Sequence, residues 1–162
     1  MKKIIAILTL VSLAVLGSSG NAIKYENYYN GRFEYSVDFP DIFHKYREPD
    51  NGDGIIFQSK DEKVILTISG GYNVMEEDGN SQLDYAYEDA AYVVPGSDKS
   101  GKGFYTITYR PKEGVIGNLT YVYGIINEGA WAAIYLSYPE SQEAQFAPIK
   151  ERMRKTLKLP QY

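Results

Sequence analysis

Residues 130–157 read "AWAAIYLSYPESQEAQFAPIKERMRKTL". In the first third, Ala132, Ile134, Leu136 and Tyr138 fall on one face of an extended chain. Trp131, Ala133, Tyr135 and Ser137 fall on the other, because successive side chains of a strand point to opposite faces. Both faces are mainly apolar or aromatic, so this strand is predicted to be covered on both sides. The remainder changes period. Phe146, Ile149, Met153 and Leu157 recur at helical spacing, with acids leading and cations trailing, as the helix dipole favours. Pro148 conflicts with an unbroken helix from residue 141, so the main helix either starts near Pro148 or kinks there. A doubly covered strand running into an amphipathic helix is the mark of a layered α+β domain.

Working back from that end, "FYTITYR" (104–110) and the strand within "GVIGNLTYVYGIIN" (114–127) precede it, joined by the turns "RPKEG" and "NEG". Near the start, "FEYSVDF" (33–39) alternates strictly, with Phe33, Tyr35, Val37 and Phe39 on one face; that is a half-buried strand, stopped by Pro40. "IFHKYRE" (42–48), "IIFQS" (55–59) and "VILTISG" (64–70) follow, linked by "PDNGDG" (49–54) and "KDEK" (60–63). Short turns between sequential strands predict an antiparallel meander. In "NSQLDYAYEDAAYVV" (80–94), Leu83, Tyr87, Ala90 and Val94 sit at helical spacing, Ser81 or Asn80 can cap the start, and Pro95-Gly96 ends the helix. "GSDKSGKG" (96–103) reads as a mobile polar loop. The order strands, helix, strands, helix predicts an α+β fold, an antiparallel sheet of about seven strands with two principal helices packed on its faces.

The chain opens "MKKIIAILTLVSLAVLGSSGNA", with Lys2 and Lys3 ahead of the apolar run Ile4–Leu16 and with Gly20 and Ala22 at the positions a signal peptidase prefers. This predicts a secretory signal peptide over 1–22 and one domain over 23–162. A membrane anchor is the competing reading, but the run is short of the roughly 20 residues a spanning helix needs. The expectation is an exported protein, in a bacterial periplasm or secreted outright, with no stable membrane anchor after cleavage. Loss of Lys2 and Lys3 shifts the net charge from −4 to −6. So acidic a surface is a poor partner for nucleic acid or anionic lipid. There is no cysteine, which excludes lipoprotein anchoring, disulfides, thiolate catalysis and cysteine-held metals.

Candidate chemistry is sparse. His44 is the single histidine, so two-histidine zinc sites are excluded. A Ser-His-Asp arrangement would have to use it, and no GxSxG is present; a structural role is the better reading. "PDNGDG" fails as a calcium loop. Begun at Asp50 it places Gly52 and Gly54 where ligands belong, and begun at Glu48 it places Asp53 where the glycine belongs. A turn is the better reading, since Asn51-Gly52 and Asp53-Gly54 tolerate positive φ. "MEEDGN" (75–80) reads as a solvated loop before a helix, and "GSDKSGKG" lacks the phosphate-loop spacing. Asp and Glu are plentiful, yet nothing singles out a pair for glycoside hydrolysis. "NLT" (118–120) matches a glycosylation sequon. The sixteen tyrosines fit half-buried sheet faces with exposed hydroxyls, and also fit an aromatic interface for protein or glycan.

"NGRFEYSVDFPDIF" (30–43), "PDNGDGIIFQSKD" (49–61) with the β-branched strand that follows, and "YLSYPESQEAQFAPIKERMRKTLK" (135–158) together resemble secreted bacterial PsbP-like domains. The resemblance spans roughly residues 30 to 158. It departs from the usual pattern at "KDEK", where an acid-glycine turn is expected. It implies an αβα sandwich around an antiparallel sheet, a fold similar to that of the photosystem II extrinsic protein PsbP and of the Mog-type Ran-binding import factor. It implies no shared activity, although the familiar relatives act by binding proteins. The expectation is therefore a non-enzymatic module that binds a protein partner or serves envelope assembly. A small-ligand or glycan binder using surface tyrosines and Trp131 is the alternative, and a hydrolase built on His44 or carboxylates is a third reading. No catalytic residue, cofactor or metal is predicted, and the ligand-binding residues are unassigned.

Overall fold

A computed structural model describes residues 22–161; the predicted signal segment, Ala22 apart, lies outside them. Ten strands and two α-helices occur among the described residues. In chain order they are β1 (Tyr25–Tyr29), β2 (Ser36–Pro40), β3 (Phe43–Arg47), β4 (Gly54–Ser59), β5 (Ile65–Tyr72), α1 (Gly79–Asp89), β6 (Ala90–Val93), β7 (Lys99–Gly101), β8 (Phe104–Pro111), β9 (Asn118–Ile126), β10 (Ala130–Pro139) and α2 (Glu143–Thr156). β1 and β2 form a separate antiparallel ribbon. The other strands make one eight-stranded sheet in the order β3-β4-β5-β10-β9-β8-β6, with β7 also paired to β8. All its pairings are antiparallel. The sheet is thus two meanders, β3-β4-β5 and β8-β9-β10, joined where β5 meets β10.

β10 is covered on both sides, as its sequence predicts. Ala132, Ile134, Leu136 and Tyr138 join one core with Leu66, Ile68, Tyr35, Val37 and the α2 stripe of Phe146, Ile149 and Met153. Ala133, Trp131 and Tyr135 belong to a second cluster with Leu83 of α1 and Tyr105, Ile107 and Tyr109 of β8. The two helices therefore lie on opposite faces of the sheet, α1 over the β8 side and α2 with the ribbon over the centre. Burying one of the large apolar side chains in such a core is worth about 1.5–3 kcal/mol.

Several local readings are corrected. The alternation in 33–39 names the right buried residues, since Phe33, Tyr35, Val37 and Phe39 are all buried. The strand itself starts only at Ser36, because Glu34 takes a positive φ of 57°. β2 also leaves the meander to pair with β1, a strand that the sequence reading passes over. The helix read over 80–94 stops at Asp89. There Ala90 turns to extended backbone and enters β6 against β8, so Tyr92 is a strand residue. The cap is Asp78, neither Asn80 nor Ser81. The expected mobile loop at 96–103 contains β7, hairpinned onto β8. These two short strands are why the sheet exceeds the expected number. α2 runs unbroken through Pro148 from Glu143, after a 3-10 turn at Glu140–Gln142. The N–H that Pro148 lacks would have served the carbonyl of Ala144, an exposed residue where water can serve instead.

"PDNGDG" is a turn, and it also clasps the ribbon. Gly52 takes φ +63° and its N–H donates to the Pro49 carbonyl at 3.0 Å. The turn's own carbonyls then accept from the ribbon corner. Asn30 Nδ2 donates to the Gly52 oxygen at 3.0 Å, the Arg32 guanidinium to the Asn51 oxygen, and the Tyr35 hydroxyl to the Asp53 oxygen. In "KDEK", Glu62 occupies the left-handed region (φ +60°). That is the conformation glycine would adopt without strain, so the missing glycine changes the residue and keeps the turn.

Candidate functional site

Three loops meet at one end of the sheet: the β5–α1 loop, the β7–β8 turn and the β9–β10 turn. Asn73, a buried residue at the end of β5, ties two of them together. Its Nδ2 donates to the carbonyls of Glu77 and Asn127, both at 2.9 Å, and its Oδ1 accepts from the Glu77 N–H at 3.0 Å. Its own N–H donates to the Gly129 carbonyl at 3.0 Å. Asn127 closes its turn by accepting from the N–H groups of Gly129 and Ala130 at 2.9 and 2.8 Å. These side chains do the work that ladder bonds do inside the sheet.

Between the loops lies an open groove of about 770 Å³, walled by Glu76, Glu77, Asp78, Lys102 and Glu128. Four carboxylates face one ammonium, so the groove is acidic. Two of the acids are structurally engaged. Asp78 caps α1, its Oδ1 accepting from the N–H of Asn80 at 2.9 Å and of Ser81 at 3.0 Å; the Ser81 N–H, first among these, holds its carboxyl below the usual range. Glu77 accepts from the Tyr85 hydroxyl at 2.7 Å. Beside the groove, Val74 and Met75 are 80% and 76% exposed. Glu76, in the same loop, sits in the left-handed region at φ +54°.

A second, smaller recess of about 80 Å³ lies under the flank of α1, lined by Gln82, Tyr85, Asp89, Tyr105, Tyr109 and Tyr135.

The residues singled out in the sequence are scattered. His44 is exposed on β3, at the sheet edge. Asn118 of the sequon is only 3% exposed and donates to the Lys63 carbonyl and Ser137 Oγ at 3.2 and 3.1 Å; it is a structural residue and not an accessible acceptor. "MEEDGN" is the largely exposed loop that leads into α1, as read from the sequence, and it also borders the larger groove. The exposed tyrosines Tyr29, Tyr46, Tyr72, Tyr85, Tyr87 and Tyr92 are spread over β1, β3, β5, α1 and β6. Trp131 is half-buried against the α1 side. Among the described residues no group of three or more His, Asp or Glu side chains is arranged to hold a metal. No helix among them is long and apolar enough to cross a membrane. The groove itself escaped the sequence reading, because its walls come from three segments far apart in the chain.

Against solved structures, the chain is similar to the solution structure of cyanobacterial PsbP (CyanoP) from Synechocystis sp. PCC 6803, with a TM-score of 0.59 over 91% of this chain and 99% of that one, at 14% identity. The chain has a PsbP-like fold. The α+β architecture and antiparallel sheet expected from the sequence are those of that neighbour's class. A crystal structure from Bacteroides thetaiotaomicron VPI-5482 is a more distant likeness, with a TM-score of 0.46 and 13% identity over 78% of this chain and 45% of that one. No protein-family model and no curated protein matches the sequence. At such identities the PsbP-like likeness concerns the fold.

Proposed function

We propose that this PsbP-like chain is an exported, non-enzymatic module that binds a protein partner through the acidic groove at the loop end of its sheet. The observation that carries the reading is the pairing of Val74 and Met75, both largely exposed, with a groove walled by Glu76, Glu77, Asp78 and Glu128. Exposed apolar residues beside an acidic wall suit a segment that is basic and carries an apolar anchor. The signal-like opening of the sequence supports export. A single histidine and the absence of cysteine in the sequence support binding over catalysis.

A photo-crosslinking residue at position 75 tests this in the native host, with position 116 as control. Ile116 is fully exposed in the β8–β9 turn, at the opposite end of the sheet. Adducts to one protein at 75 and none at 116, weakened by Glu76→Lys and Glu128→Lys, are the expected result. Equal labelling at both positions, or no protein adduct at 75, overturns the reading.

A small-ligand role is the second reading, favoured by the tyrosine-lined recess under α1.

A further inference from the structure

The chain has three methionines and no cysteine. Met1 falls in the predicted signal segment, so the thioethers of Met75 and Met153 are the only sulfur atoms after it. The fold treats the two oppositely. Met153 is fully buried on α2, in the core with Phe146 and Ile149. Met75 is largely exposed in the β5–α1 loop. A buried thioether reacts only when the structure opens, whereas an exposed one reacts in the native state.

The loop that carries Met75 is tied at both ends. The Asn73 N–H donates to the Gly129 carbonyl at 3.0 Å, and the Asn73 carbonyl accepts from the Glu76 N–H at 3.3 Å. Asp78 caps α1 on the far side. The sulfur is therefore offered to solvent by the folded chain. Local charge selects the reagent. Glu76, Glu77 and Asp78 follow Met75 directly, and Glu128 walls the same groove. This negative field repels anionic oxidants and leaves a neutral hydroperoxide unhindered.

The reaction is an oxygen-atom transfer. A lone pair on the Met75 sulfur attacks one oxygen of hydrogen peroxide. The S–O bond forms as the O–O bond breaks, and sulfur gives up two electrons. The proton on the transferred oxygen passes to the departing hydroxide, which leaves as water. A dithiol reverses the step: it returns the two electrons, becomes a disulfide and releases the oxygen as water. A sulfoxide is a polar hydrogen-bond acceptor, and burying it in an apolar contact without a donor is costly. Val74 and Met75 together form the apolar anchor beside the groove, so oxidation removes one of its two members.

We propose that Met75 is a site of reversible oxidation by hydrogen peroxide, and that its sulfoxide releases the partner held at the acidic groove. This rests on the docking reading above and adds its regulation.

The chemical arm treats the purified protein with hydrogen peroxide and maps the added oxygen by mass spectrometry. One oxygen on Met75 is expected, with Met153 unmodified and the thermal midpoint unchanged. Oxidation of both residues at equal rates, a lowered midpoint, or an unmodified Met75 overturns the proposal. The docking arm places a photo-crosslinking residue at position 102 in the native host. Replacing Lys102 there keeps all four acids of the groove, together with Val74 and Met75. Peroxide should lower the adduct yield about five- to tenfold, from the loss of part of a methionine's burial. A methionine sulfoxide reductase with dithiothreitol, added to extracts, should restore it. Met75→Leu, compared with itself before and after peroxide, should show no such fall. An equal fall in Met75→Leu puts the reactive group on the partner and overturns the proposal. So does an unchanged yield once Met75 is fully oxidised. Absence of adducts at both 75 and 102 before any peroxide is added overturns the docking reading itself, and the release step with it.

Discussion

The Tyr35 hydroxyl donates to the main-chain oxygen of Asp53 at 2.8 Å, and the same oxygen accepts from the Gly70 N–H at 2.9 Å. One carbonyl thus joins the ribbon, the "PDNGDG" turn and the end of β5. Tyr35→Phe removes one of the two donors and leaves the carbonyl satisfied by the other. A loss of about 1 kcal/mol is expected, read as a lower denaturant midpoint with an unchanged slope. A change below a few tenths would mean that the clasp contributes little.

Alkaline pH should unfold the protein early. Burial raises the phenols of Tyr35, Tyr105 and Tyr138, and pushes those of Tyr109 and Tyr121 to about 12. In the unfolded chain each ionises near pH ~10. The folded values lie above the unfolded ones, so this stability is fully present below pH ~10 and is lost as pH rises toward and through the folded values. Each phenol adds up to about 1.4 kcal/mol per pH unit to the slope. Denaturation curves across that range, with phenolate absorbance alongside, provide the check: the absorbance of these residues should rise with unfolding and not before it.

Glu62→Gly should stabilise the protein. Glu62 pays for a left-handed backbone at φ +60°, while glycine there costs only unfolded-state entropy. The two nearly offset, leaving a gain of up to about 1 kcal/mol. Thermal unfolding would show a rise of a few degrees; a fall would mean that the Glu62 side chain has a role beyond the turn.

Asn73→Ala should detach the β5–α1 loop from the β9–β10 turn. The carbonyls of Glu77 and Asn127 and the Glu77 N–H would lose their partner, at a cost of about 2–3 kcal/mol. Faster hydrogen exchange at the Glu77 amide is the direct signature, and any partner bound in the groove should be lost with it.

The parts of this fold legible in the sequence are those in which burial imposes a period. β10 announced cover on both faces because both of its residue sets are apolar. Phe33, Tyr35, Val37 and Phe39 announced one buried face. Pairing is not local, so nothing in "FEYSVDF" tells that its strand joins β1 and not the meander. The overrun of α1 has a similar cause. Ala90 and Val94 satisfy a helical period, yet pairing of Tyr92 with Arg110 and Val93 with Tyr109 wins at that point. β7 is hidden because Lys99–Gly101 carries no apolar alternation. The groove was foreshadowed only by the acids of "MEEDGN", since its other walls arrive from turns about 25 and 50 residues further along.

The join between the two meanders sets a timetable for assembly. Ile68 pairs with Ile134 and Leu66 with Leu136, so β5 waits for a partner made some 65 residues later. A ribosome delivers the first meander well before the second. During that interval β5 offers a bare hydrogen-bonding edge to any other extended chain, with Leu66 and Ile68 uncovered beside it. Contacts so distant in sequence slow folding, and the last strand to emerge is the one that closes the vulnerable edge. Aggregation in this protein is therefore a hazard of youth, concentrated in chains that have finished β5 and not yet made β10.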